Sequence, residues 1–106
     1  MPVSEAHALL EAYIEKGEWL LCAADMVGDR DDFDVWHHRR KAWIKLTMAA
    51  LANVFDAGRP AKEFRHAASP ARDGGGWHEH LSIEREGLLD AIQVLSAFSR
   101  HTQDRA

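Results

Sequence analysis

Cysteine is almost missing from this chain. One residue, Cys22, stands among the 106, which excludes an intrachain disulfide and suits a reducing compartment. Positive charge is in deficit: 13 Lys and Arg face 17 Asp and Glu, a net charge of −4 with histidine neutral. That removes the electrostatic footprint of nonspecific nucleic-acid binding. Long apolar runs are also lacking. No stretch approaches the roughly 18 residues of a membrane span, and the opening Met-Pro-Val-Ser-Glu has no basic region followed by an apolar core, so no signal peptide is expected. The expected location is cytoplasmic. Strand-like alternation and internal repeats are absent, and no His-x-x-x-His or cysteine pair offers two metal ligands from one helix face.

What is present is helical periodicity. Between Asp31 and Gly58 the residues Phe33, Trp36, Trp43, Ile44, Thr47, Leu51, Val54 and Phe55 recur at three- and four-residue steps, one face of a long helix. Asp31, Asp32 and Asp34 favour its start, and Gly58 with Pro60 its stop. An earlier helix, about 4–27, is capped by Ser4 and carries Leu9, Leu10, Tyr13, Ile14, Gly17, Leu20, Leu21 and Ala24 on its inner side. Gly17 within that stripe predicts close approach of another backbone, or else a kink. A short helix, about 60–68, has Phe64 as its one large apolar anchor. A glycine-rich loop, 69–76, leads to a last helix over about 77–101, with Ser82 as a possible later cap and a polar, frayed tail from Thr102. The expected fold is all-α: one domain, a small bundle of three long helices and one short one.

Two places depart from an ordinary bundle. Arg40 falls in the middle of the apolar stripe of the second helix. Either its stem lies along the tryptophan rings while its head reaches water, or it is buried and paired, with Glu84 as the first-choice partner. The second place is the first helix, which is apolar almost all round from Trp19 to Val27. Trp19, Cys22, Ala23 and Met26 lie opposite the inner stripe, and a helix apolar on both sides is buried twice or used at an interface. Those four residues are therefore the expected protein interface, toward a second protein, a second copy of the chain, or both.

Enzymatic chemistry has weaker support. Seven histidines invite a metal, but His37-His38 diverge on a helix and His78-Glu79-His80 converge only in a loop. They read as surface histidines, with no metal and no cofactor expected. Arg72 to His78, and Arg30 to His37, have the Arg-to-His spacing of helical HEPN-type ribonucleases; Arg72 and His78 are the catalytic candidates on that alternative reading. Three glycines, Gly74 to Gly76, with no following Lys-Ser/Thr do not make a phosphate loop. Cys22 has no basic neighbour to activate its thiol.

The order Leu9-Leu10, Gly17, Trp36-His-His-Arg39, Val54-Phe55-Asp-Ala-Gly58, Phe64 and Glu86-Gly87-Leu88-Leu89 resembles a loosely defined group of small helical domains in bacterial antiviral and signalling proteins. In that group a Trp-x-x-Arg helix ends near Phe-Gly; here Asp56 and Ala57 intervene. The resemblance implies an interaction module rather than an enzyme, within a defence or signalling system. A phage or mobile-element inhibitor of host defence, acting by protein binding, is the other reading of a small acidic chain with no fused effector.

Overall fold

The computed structural model describes residues 3–55, 57–69 and 75–104. Four helices follow in order: α1 Val3–Ala24, α2 Arg30–Val54, α3 Arg59–Ala68 and α4 Trp77–Asp104. The fold is all-α, three long helices and one short one, with no strand among the described residues. α1 packs most extensively along α4; α3 lies across α4 and α2.

The ends of the helices follow local chemistry. α2 starts one residue before the acidic cluster because Asp29 is the cap: its carboxylate accepts from the Asp32 backbone N–H at 2.8 Å, and Asp32 in turn accepts from the Gly28 N–H at 3.2 Å. This reciprocal arrangement satisfies free donors of the first turn. Asp29→Ala is expected to destabilise the protein by about 1 kcal/mol. In thermal denaturation that is a fall in Tm of about 4–8 °C for a domain of this size. α4 starts at Trp77, not at a Ser82 cap, because the Glu79 carboxylate reaches back to the Gly75 N–H at 2.7 Å.

Several expected boundaries shift. α1 already includes Val3, so Ser4 lies within the helix and does not cap it. α1 ends at Ala24 rather than Val27: the N–H groups of Asp25, Met26 and Val27 bond to the carbonyls of Cys22, Ala23 and Ala24, a tighter three-residue closure that leads into Gly28. α2 ends at Val54 rather than residue 57, where Phe55 turns extended while its N–H still reaches the Leu51 carbonyl. α4 runs past the expected frayed tail, because Thr102 is buried and its hydroxyl donates to the Ser99 carbonyl at 2.8 Å.

Large rings fill the core. Trp36 and Trp43 of α2 pack against α1, and each indole N–H donates to an α1 carbonyl, that of Leu20 at 2.8 Å and that of Tyr13 at 2.9 Å. Buried indole N–H groups need such partners. Phe64 holds α3 down by full burial edge-on against Trp43, centroids 5.5 Å apart. Burying a side chain of this kind contributes about 1.5–3 kcal/mol. Gly17 does permit a close approach, but of a ring: a Cβ there would meet the Trp43 indole at 2.7 Å.

Candidate functional site

Trp19, on α1, is 61% exposed, and Met26 is 84% exposed. Cys22 is exposed too, while Ala23 is half-buried. Trp19, Ala23 and Met26 are brought together along one edge of α1. Met26 is not on the helix line two turns beyond Trp19, however; it sits in the turn after Ala24.

The structure adds a second half to this surface. α1 and α2 run antiparallel, and two shallow depressions lie end to end along the seam between them. One, of about 290 Å³, is lined by Trp19, Ala23, Met26, Val35 and Arg39 among others; the next, of about 280 Å³, by Lys16, Trp19, Arg39, Ala42 and Leu46. Val35 and Leu46 are more than half exposed. Trp19 and Arg39 belong to both depressions and stand at its middle. The signal for the α2 half is a second stripe, Val35, Arg39, Ala42 and Leu46 at steps of four, three and four. On α1 the same steps connect Ala12, Lys16, Trp19 and Ala23. Each stripe lies roughly a quarter to a third of a turn from its own helix's buried face. Neither Val35 nor Leu46 belongs to the periodic buried stripe of α2, so that stripe alone does not point to them.

Arg40 does not reach water. It is 3% exposed; one terminal nitrogen donates to Glu84 Oε1 at 3.3 Å and the other to the Ala68 carbonyl at 2.5 Å. Burial lowers the Arg40 pKa, and the Glu84 carboxylate works against that change. His37 joins the cluster, correcting its placement as a plain surface histidine: its Nδ1 is 2.5 Å from the same Glu84 oxygen. The nitrogen is not aimed along a hydrogen-bond direction, so this is a close polar contact rather than a formed bond. Arg40 Nε and Glu84 Oε2 find no partner among the described residues. Gly87 makes the arrangement possible, because a Cβ there would stand 2.8 Å from the Ala68 carbonyl oxygen that Arg40 uses. The cluster ties α2, α3 and α4 together inside the molecule.

A third polar group links α1 to α4. The buried Ser99 hydroxyl donates to Glu11 at 2.5 Å and lies 3.1 Å from His7 Nδ1, which is also 3.2 Å from the Ser99 carbonyl. The residue types suggest a nucleophile, but the geometry does not. Ser99 is 1% exposed and gives its proton to the carboxylate rather than to the imidazole, whereas an activated serine is oriented by its base and open to substrate. This is a staple.

Of the ribonuclease candidates, Arg72 lies outside the described residues, and so does most of the glycine-rich loop. His78 is exposed, its ring stacked on Trp77 at 3.6 Å. Arg30 lines a depression with Asp34, Trp77 and His80, while His37 is turned to Glu84. No group of three metal-binding side chains occurs among the described residues, and no described helix is long and apolar enough to cross a membrane. Fold and surface together define a small helical bundle with an uncovered apolar seam between two antiparallel helices. Comparison with protein families, curated proteins and solved structures gives no match.

Proposed function

We propose that this chain is a non-enzymatic protein-interaction module, engaging its partner through the seam between α1 and α2. One observation carries the reading: Trp19, Met26, Val35 and Leu46, each more than half exposed, gather on one face. A contiguous patch of this kind marks an interaction surface far more often than scattered exposed side chains do. Tryptophan, methionine and arginine are also the residue types enriched at interface centres. The resemblance to bacterial antiviral and signalling domains suggests a setting in such a system.

The test is capture from within the face. With a photo-reactive amino acid in place of Met26, irradiation in cells is expected to yield one defined protein adduct. Trp19→Glu in the same chain should abolish the adduct. Folding should survive, because a substitution at so exposed a site changes stability by about 0.5 kcal/mol. The same reactive group in place of Lys62, on α3, should give none. No adduct from position 26, the chain itself included, or a Trp19→Glu chain that unfolds, overturns the proposal.

A further inference from the structure

We infer that the occupant of the α1/α2 seam is a second copy of this chain, related by a two-fold axis parallel to the helices, so that α1 of each copy lies on α2 of the other. The inference rests on reading the seam as a protein-binding face and names what covers it.

Shape comes first. The outward stripes of α1 (Ala12, Lys16, Trp19, Ala23) and α2 (Val35, Arg39, Ala42, Leu46) share the four-three-four spacing of a coiled-coil seam. Each spans about 16 Å. On α1 two alanines flank Lys16 and Trp19, and on α2 Ala42 sits between Arg39 and Leu46, so each stripe leaves gaps beside its large side chains. Lys16 lies over the Tyr13 ring, 5.4 Å from its centroid, and the two side chains together line the second depression. A two-layer, four-helix interface follows from two equal, antiparallel stripes placed face to face.

Charge selects the occupant and its orientation. Beyond the α1 stripe, on the side away from α2, the exposed residues Glu15 and Glu18 form an acidic bank. Beyond the α2 stripe, on its outer side, the exposed residues Lys41 and Lys45 form a basic bank, with the exposed Asp34 on the same line two turns nearer the start of α2. The depressions place Lys16 level with Ala42 and Leu46, and Trp19 level with Arg39. The two banks therefore stand at the same height along the seam. A two-fold axis parallel to the helices lays the acidic bank of each copy on the basic bank of the other, twice, and sets Trp19 against Arg39 of the second copy. Arginine over an indole face is a favourable contact. An in-plane axis across the helices would instead put α1 on α1, acid on acid. Asp25 does not disturb this pattern, since it turns away toward Arg85 at 3.6 Å. Of these two axes, the one parallel to the helices is the one that sets Glu15 and Glu18 against Lys41 and Lys45, and it gives an isologous interface.

The experiment exchanges the banks. Sedimentation velocity of the wild type should show a dimer. Glu15→Lys with Glu18→Lys, and separately Lys41→Glu with Lys45→Glu, should each weaken self-association by on the order of 10-fold or more. Mixing these two variants should restore dimers, because each then offers the sign that the other needs at both contacts. Folded variants that associate no better when mixed than alone overturn the inference. A monomeric wild type also overturns it; if position 26 still captures a different protein, the reading of the face as a binding surface stands and its occupant is heterologous. Both fall together if position 26 captures nothing or if the Trp19→Glu chain unfolds.

Discussion

Glu84→Ala is expected to destabilise the protein by about 3–5 kcal/mol, a large share of the about 5–15 kcal/mol that holds a domain folded. The reason is asymmetry between the two charges. Without Glu84 the buried Arg40 guanidinium retains only the Ala68 carbonyl, and arginine cannot shed its proton to escape the penalty. Arg40→Met is milder. It leaves no guanidinium held away from water, and the His37 ring still lies 2.5 Å from the Glu84 carboxylate. The double variant Arg40→Met with Glu84→Leu should recover most of the loss, since a buried pair replaced whole by apolar groups is often neutral or stabilising. Urea denaturation followed by circular dichroism measures all three. If Glu84→Ala and Arg40→Met are equally mild, the pair is not holding an uncompensated charge.

Gly87→Ala should lower stability by about 1–3 kcal/mol, even though alanine favours helix by about 1 kcal/mol. The new Cβ would meet a backbone oxygen, that of Ala68, at 2.8 Å. A carbonyl at the end of α3 cannot yield as a side chain can, and moving it also loosens its 2.5 Å bond to Arg40. Gly17→Ala collides with the Trp43 ring at 2.7 Å and with Ile92 at 3.0 Å. That ring is held by its bond to the Tyr13 carbonyl, so it too resists, but by side-chain rather than backbone displacement. The expected order of midpoint loss in denaturant is Gly87→Ala first, Gly17→Ala second. A gain in stability at either site would mean that the neighbouring helices slide apart freely.

These two effects reach across helices, where the sequence names Glu84 as a first-choice partner for Arg40 and no partner for the glycines. Gly17 within an apolar stripe announces that something comes close, but whether backbone or ring depends on which helix lies opposite. Arg40 is similar. Its position in the stripe is an anomaly visible in the residues, and Glu84 is a reasonable partner among several acids. The Ala68 carbonyl and His37 are not foreseeable, because backbone acceptors leave no trace in residue type and His37 lies next to the stripe rather than within it.

By itself the sequence determined four helices, their inner stripes and most of their starts, because periodicity, acidic first turns and glycine stops act within one or two helical turns. It also showed that Trp19 and Met26 do not fit a single buried face. Only the tertiary structure decided that α1 closes at Ala24 and turns, that Arg40 lies away from water, and that the outward stripes of α1 and α2 adjoin as one seam. The physical reason is range. A helix records its own amphipathicity in i, i+3 and i+4 spacing, whereas the pairing of two faces is fixed by ring packing and shared polar partners between residues far apart in the chain.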